Sequence, residues 1–319
     1  MNGPKPSPLP RTKRPQHRET GRVSKKMKLS VVIAAWNSPS LLNECLVSLL
    51  PQLSAVDSEV IVVSNFPTSD IPNRFASFSF VTFRDIADAT VPELRTQGIE
   101  NASGDVIALL EDHCRVDQAW ASQIRKAHEL PYAIIGGSVE NPGRQTPLNW
   151  AIYLYDYGSY MLPDVPHVAA ALTGFNVSYK RTVLAEVRDE YRSGFYETFI
   201  NEELQRRGYK LFLMPSVIVH HNKTYALRNS IVESYHHGRL FAALRTSTAP
   251  LTERLYRIAT SLFLPLLLPI RVVLRTIRKN RVKELITAVP YLLLLMSAWS
   301  YGEFCGYLCR EGASAKKWK

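Results

Sequence analysis

Apolar residues in the first half of the chain form short continuous runs, which alternate with segments whose apolar residues recur at helical spacing. A continuous apolar run is typical of a strand buried on both faces of a sheet. The runs are 29–36, 59–65, a weaker one at 78–83, 105–110 and 132–135. Helical spacing occurs in 41–50, in 92–104 between a first-turn proline and a closing glycine, and in 118–129. Strands that alternate with helices predict an α/β fold with a mainly parallel sheet flanked by helices.

The pattern changes at about residue 251, where two apolar segments, 258–270 and 285–302, flank a basic connection at 271–283. As a helix, the first segment would reach only about 20 Å, short of the ~30 Å hydrocarbon core of a bilayer. Prolines interrupt it as well, and the second segment is barely long enough to span. We therefore expect 251–319 to form a helical hairpin that lies in the membrane plane or re-enters it. Buried helices of a soluble protein and a homodimer interface are the alternatives.

The formal net charge of +11 is concentrated at the amino terminus, where residues 1–28 hold nine Lys and Arg against one acid. This segment is proline-rich and almost without apolar residues, so 1–27 is predicted to be a disordered tail. A solvated extension and a contact with anionic lipid are both compatible with it. Because the rest of the chain is near neutral and carries no recognition motif, we do not expect nucleic acid as a partner. The basic connection at 271–283 favours the cytoplasmic face of the membrane.

Candidate chemistry stands directly after the fourth apolar run, at Glu111-Asp112-His113. Ligand crevices of parallel sheets lie beyond the carboxyl ends of the strands. Carboxylate oxygens suit Mg²⁺ or Mn²⁺, and an imidazole shifts the preference slightly towards Mn²⁺. A solvated acidic turn is the alternative interpretation of this tripeptide.

The order of the motifs resembles family 2 glycosyltransferases over roughly residues 28–245. The matching segments, in chain order, are 29–37, 59–65, 94–99 with 102–105, 111–113, 173–178, 196–198 ahead of Gly208-Tyr209, and Pro215 leading to His220-His221. The resemblance implies a GT-A fold over 28–250, with a nucleotide-binding half followed by an acceptor half. It also implies an enzyme that moves a sugar from a nucleotide-sugar donor to a glycan or a lipid-linked acceptor.

The resemblance places Glu111-Asp112-His113 at the family's metal motif, where His113 replaces the second aspartate. Asp112 and His113 are then the expected contacts of a divalent cation, Mn²⁺ or Mg²⁺, and of the donor diphosphate, with Glu111 next. A cation there would neutralise the charge that grows on the leaving group. His221 resembles the family histidine that reaches the metal or the diphosphate, and His220 is its rival because alternation points only one of them inward.

The resemblance assigns the remaining site residues as well. Glu197 occupies the place of the general base, with Glu202 and Glu203 as rivals, and one displacement with one base inverts the anomeric centre. The expected donor-binding residues are Ala35, Asn37, Ser64, Asn65, Arg95, Glu111 and Asp112, and the expected acceptor-binding residues are Gly174, Phe175 and Asn176. Serine and asparagine stand at 64 and 65 where aspartates are commoner, and Tyr196 replaces an acid. A degenerate GT-A domain that binds a sugar nucleotide or a partner without turnover is therefore the alternative function.

Overall fold

The computed structural model describes residues 27–68, 71–141 and 146–317. Within these residues nine strands form one sheet, in the order β3-β2-β1-β4-β8-β6-β9-β5, with β7 paired to β9. The strands are β1 Leu29–Ala35, β2 Ser58–Ser64, β3 Val81–Asp85, β4 Val106–Glu111, β5 Cys114–Val116, β6 Ile134–Glu140, β7 His167–Ala169, β8 Val177–Lys180 and β9 Leu211–His221. The first four strands pair in parallel, and β8 joins β4 antiparallel. The predicted α/β fold with flanking helices is confirmed, and its parallel part is β3-β2-β1-β4 together with the β6–β9 pair, so the sheet as a whole is mixed. The predicted tail, 1–27, lies outside the described residues except for its last residue.

Helices cover the sheet and continue into the carboxyl-terminal part of the chain. They are α1 Pro39–Leu49, α2 Ile71–Arg74, α3 Val91–Asn101, α4 Trp120–Ala127, α5 Pro147–Ile152, α6 Arg181–Glu186, α7 Glu197–Arg206, α8 Leu227–Arg245, α9 Leu251–Ser261, α10 Leu264–Arg278 and α11 Val282–Cys309. A π-helical turn, Tyr153–Tyr157, follows α5.

The expected end of the helix over 92–104 is wrong by about three residues. Helix α3 ends at Asn101, and Gly104 lies at the entrance to β4. A Cβ at Gly104 would lie 2.5 Å from Ser30 Oγ and 2.7 Å from Ser30 N. Gly104 is therefore required by the close approach of β1, not by a helix cap.

The carboxyl-terminal part forms three helices in place of the expected hairpin. Helices α9 and α10 are bent by 67° at their junction. Helix α11 packs against α8 and α5, and its residues Leu285, Leu292 and Leu295 belong to the same hydrophobic core as the central strands. Residues 251–317 thus share a core with the sheet domain, so they do not form a core of their own. The predicted boundary at 250 stays a prediction.

An apolar surface remains exposed on these three helices. Among the described residues, α11 is long and apolar enough to cross a membrane, and α9 with α10 meets the same criterion only as a bent pair. The exposed side chains include Leu255, Leu262, Phe263, Leu266, Ile270, Leu274, Ile286, Leu293, Leu294 and Tyr301. Exposed apolar side chains, where they form one patch, mark interaction surfaces.

Candidate active site

A cavity of about 420 Å³ lies where β4 and β9 end and is closed on one side by α8 and α11. Its wall includes Glu111 at the end of β4, His221 at the end of β9 and Glu197 at the start of α7. The volume is in the range that binds small molecules. The cavity brings together residues from five predicted motifs: Arg95, Glu111, His113, Gly174, Phe175, Glu197 and His221.

Arg95 joins two acidic residues of the cavity. Its Nη2 lies 2.5 Å from Glu111 Oε1, and its Nη1 lies 2.7 Å from Glu197 Oε2. The arginine side chain is only 5% exposed. Burial lowers the pKa of Arg95, but the charges of Glu197 and Glu111 outweigh burial and hold that pKa above its usual value. One buried guanidinium therefore lies between the two carboxylates and offsets part of their charge at the wall of the cavity.

His113 lines the cavity and has one buried imidazole nitrogen without a hydrogen-bond partner among the described residues. Its Nδ1 lies 3.4 Å from both Glu111 Oε2 and Asn37 Nδ2, whereas its buried Nε2 has no partner among the described residues. Burial lowers the pKa of His113 well below its ordinary value, and the charges of Lys223 and Arg95 act in the same direction. The ring is thus neutral at pH 7, the form in which an imidazole binds a metal ion.

His221, and not His220, is the histidine of the β9 end that reaches the cavity. His221 is buried, with its ring centroid 4.5 Å from that of His113, and its Nε2 lies 3.0 Å from the Tyr225 hydroxyl. His220 alternates to the other face and does not line the cavity. Within the described residues, no three His, Cys, Asp or Glu side chains converge on one metal position.

Asp112, the preferred metal and diphosphate contact, does not line the cavity. It is fully buried, and its Oδ2 accepts hydrogen bonds from the backbone N–H groups of Trp36, Asn37 and Ser38, while its Oδ1 accepts one from Asn37 Nδ2. Burial raises its pKa to about 6, against these hydrogen bonds. The expected role of Asp112 is corrected: side chains alternate at the strand end, so Glu111 and His113 face the cavity and Asp112 holds the β1–α1 turn.

The other expected donor residues lie at the carboxyl edge of β1 and β2, outside the cavity wall. Ala35 pairs with Ser64 in the sheet, and the Asn65 N–H donates to the Ala35 carbonyl. The Ser64 hydroxyl donates to the carbonyl of Phe66 and is fully buried, so it is occupied within the protein. The side-chain amide of Asn37 donates a hydrogen bond to Asp112 Oδ1. These residues share the edge on which Glu111 ends, since Glu111 pairs with Ala34.

The expected acceptor residues separate into two groups. Gly174 and Phe175 line the cavity, and a Cβ at Gly174 would lie 2.6 Å from Arg95 Nη2 and 2.7 Å from Glu197 Cδ. Asn176 is buried on the other side, where it accepts a hydrogen bond from Trp120 Nε1 and donates to the carbonyls of Ser138 and Val217. The expectation that Asn176 touches the acceptor is therefore wrong, because its side chain connects strands.

The rival acids of Glu197 face away from the cavity. Glu203 forms ion pairs with Arg206 and Arg207 at the surface, and Glu202 is exposed. Neither lines the cavity, so Glu197 is the α7 acid in reach of the other site residues.

Several cavity residues were not identified from the sequence. They come from the π-helical turn, the segment after β9, α8 and α11, and include Asp156, Tyr157, Lys223, Tyr225, Glu233, Phe241 and Trp299. Asp156 lines the cavity with an exposed side chain; partial desolvation raises the pKa of its carboxyl group, against the charges of Lys223 and Arg275. Only the clustered aromatic residues and the acid of 153–157 signal this turn in the sequence.

Residues 30–188 match the family model described as glycosyl transferase family 2. A solved structure of the mannosyltransferase PcManGT from Pyrobaculum calidifontis in complex with GDP-Man and Mn²⁺ is similar, with TM-score 0.55 and 15% sequence identity over 88% of each chain. GalNAc-T7 with UDP, GalNAc and Mn²⁺ is similar with TM-score 0.50 and 13% identity over 63% of this chain and 44% of its own. No curated protein matches the chain. The family match and the shared fold agree with the order of motifs, and the chain belongs to glycosyl transferase family 2, with a GT-A fold.

Proposed function

We propose that the protein transfers a sugar from a nucleotide-sugar donor to a hydroxyl group of an acceptor, with inversion at the anomeric carbon. The observation that carries this proposal is the linkage Glu111–Arg95–Glu197 within one cavity. The Arg95 guanidinium connects Glu197, the candidate base on α7, with Glu111 at the end of β4, where the donor diphosphate is expected. Family membership supports glycosyl transfer as the reaction class.

The proposed chemistry is one displacement. Glu197 takes the proton of the acceptor hydroxyl as the acceptor oxygen forms its bond to the anomeric carbon. The bond from that carbon to the diphosphate breaks at the same time, and the nucleoside diphosphate leaves with the electron pair. Attack from the side opposite the leaving group inverts the anomeric centre. Arg95 compensates the charge of ionised Glu197 and lies beside the position at which negative charge develops.

The residues present fit a divalent cation that is shared with the donor. Glu111 and His113 would hold it, since both line the cavity with His113 Nδ1 3.4 Å from Glu111 Oε2, and the imidazole is neutral. Two protein ligands suffice where phosphate oxygens complete the coordination, as is usual for Mg²⁺ sites. A bound cation would supply charge neutralisation for the departing diphosphate. The Mn²⁺ ions in both similar structures are consistent with this assignment.

We propose further that α9, α10 and α11 attach the enzyme to the cytoplasmic face of a membrane. Only 39% of the most apolar window of α11 is buried, and its other face joins the exposed apolar surface of α9 and α10. Because one face of α11 packs on α8 and lines a polar cavity, placement at the interface fits better than a lipid-surrounded span. The exposed Arg271, Arg278 and Lys283 lie next to this surface and suit an anionic leaflet.

Full-length protein in detergent, titrated with UDP- and GDP-sugars with and without Mn²⁺, tests the donor and the metal together. Glu197→Gln should leave nucleotide binding intact and lower transfer by roughly 10²–10⁴-fold. The matched control Glu202→Gln removes an exposed acid from the same helix and should leave transfer unchanged. Binding of a sugar nucleotide without turnover by the unaltered chain would support the degenerate-domain alternative and refute the enzyme.

A further inference from the structure

Half of the cavity wall takes no part in the transfer step proposed above. Asp156 comes from the π-helical turn, Lys223 follows β9, Glu233 and Phe241 lie on α8, and Trp299 lies on α11. These five residues are contributed by segments that come after the metal motif in the chain. Because they share one cavity with Glu197, a molecule bound there would present its reacting group to the base.

Basic residues of α10 hold the segment that carries Asp156 in place. Arg275 Nη2 donates to the Leu154 carbonyl at 2.6 Å, and Lys279 Nζ donates to the Met161 carbonyl at 2.8 Å. These residues belong to the connection at 271–283, whose charges were expected to face lipid headgroups. Two of them instead fix the cavity wall, so the carboxyl-terminal helices shape this half of the site. π-Helical turns are rare and are often found at functional sites.

The charges of this half of the cavity favour hydroxyl groups over phosphate. Asp156 and Glu233 supply two carboxyl groups to this lining and Lys223 supplies one ammonium group, while the positive charge of Arg275 acts on Asp156 from outside the lining. Carboxylate oxygens accept hydrogen bonds, and neighbouring hydroxyls of a sugar ring can donate a pair of them to one carboxylate. A phosphate monoester dianion offers no such donors, and in this half of the lining Asp156 and Glu233 would repel it while Lys223 alone would attract it.

An aromatic wall completes this half. The rings of Phe241 and Trp299 lie 5.9 Å apart between centroids, and the ring of Tyr155 stands at 83° to Trp299 at 6.0 Å. Aromatic side chains beside hydrogen-bonding acids suit a ligand with one apolar face and a polar edge. A pyranose ring, with C–H groups on its faces and hydroxyls at its edge, has this shape.

We propose that this half of the cavity is the acceptor subsite, and that Asp156 and Glu233 select a neutral sugar ring with adjacent hydroxyls over a polyprenyl phosphate. The proposal rests on the proposed transferase function and names its acceptor class. It also accounts for a base at Glu197, since a sugar hydroxyl must lose a proton during attack, whereas a phosphate acceptor is already ionised.

Saturation-transfer NMR on the full chain in detergent, with UDP or GDP and Mn²⁺, tests the proposal without turnover. The probes are neutral methyl glycosides of glucose, galactose and mannose, and farnesyl phosphate. At least one methyl glycoside should bind, and Asp156→Asn or Glu233→Gln should weaken it by about tenfold or more, the loss expected for a hydrogen bond to a charged group. Glu202→Gln is the matched control and should bind as the unaltered chain does.

Farnesyl phosphate should bind poorly to the unaltered chain and gain affinity in the double variant Asp156→Asn/Glu233→Gln. Farnesyl phosphate binding that is already tight and insensitive to these acids would overturn the proposal, as would glycoside binding that both single variants leave unchanged. Thermal unfolding and nucleotide binding of each variant test whether lost affinity merely reflects misfolding. Release of the nucleoside diphosphate from a sugar nucleotide, measured on the same samples, separates this failure from that of the transferase function. A chain without transferase function releases none, whereas a wrong acceptor class leaves a release that depends on Glu197.

Discussion

A methyl group at position 174 should separate Arg95 from the base without touching either residue's chemistry. The Cβ of Gly174→Ala would lie 2.6 Å from Arg95 Nη2 and 2.7 Å from Glu197 Cδ, distances at which one of these groups must move. The backbone at Gly174 does not adopt a positive φ, so alanine itself is tolerated there. Arg95 is enclosed and held at both ends by carboxylates, hence a shift that relieves the contact breaks at least one of its ion pairs.

The expected cost follows from this geometry. Overpacking of a buried site destabilises a protein by about 1–3 kcal/mol. Displacement of a catalytic group by about 1 Å lowers a rate by up to roughly 10²-fold. Gly174→Ala should therefore lower transfer by about 10- to 100-fold and decrease the free energy of unfolding by about 1–3 kcal/mol, while Mn²⁺-dependent nucleotide binding persists through Glu111 and His113.

Steady-state kinetics, chemical denaturation and a double-mutant cycle with Glu197→Gln measure these effects. If the methyl group acts by displacing Glu197, it should cost little once Glu197 is already replaced by glutamine. The rate loss of the double variant should then be smaller than the product of the two single losses. Unchanged turnover in Gly174→Ala, or losses that multiply fully in the double variant, would show that Gly174 does not support the base.

Three further outcomes are expected. Asp112→Asn should lower the free energy of unfolding by about 1–3 kcal/mol, since an amide group would face backbone N–H donors. The Mn²⁺ concentration that supports nucleotide binding should not change, and a shifted Mn²⁺ dependence would contradict this role. Burial lowers the pKa of His128 to about 4. Because the unfolded chain binds the proton first, the free energy of unfolding should fall by about 3 kcal/mol as the pH drops from 6.5 to 4. His128→Gln should flatten that part of the curve of unfolding free energy against pH. Truncation after Thr248 should give aggregated protein, because it uncovers the buried face of α8. The double variant Leu266→Glu/Ile270→Glu should instead move the intact chain from the membrane pellet to the soluble fraction. Membrane retention of that double variant would argue against the exposed surface as the anchor.

The sheet could be predicted from the sequence because its central strands are buried on both faces. Continuous apolar runs at 29–36, 59–65 and 105–110 carry that signal without ambiguity, and the observed strands differ from them by one or two residues. The third run is less regular, and the observed strand Val81–Asp85 is shifted by two to three residues. It lies at the sheet edge with exposed positions, so burial there does not fix its register.

The site could be predicted only in part, because a sequence gives the place of a strand end but not which side chain faces inward. For Glu111-Asp112-His113 this left the cavity face undecided, and the structure turns the central residue away. Asp156 escaped prediction for another reason. It enters the cavity through a π-helical turn that is held by side chains more than a hundred residues later, a contact without a local sequence pattern.

Helix α11 connects the two halves of the proposed function. Leu295 and Trp299 face the cavity, four residues apart on one face of the helix, while Leu294 and Tyr301 are exposed on the other. A membrane that holds the exposed face fixes the position of Trp299 relative to Glu197 as well, since a helix moves as a rigid body over one or two turns. In these two proposals, attachment to the membrane and the shape of the acceptor subsite therefore depend on the same element. A neutral sugar carried on a membrane lipid would satisfy both faces at once, with its anchor in the bilayer and its hydroxyl groups at the carboxylates.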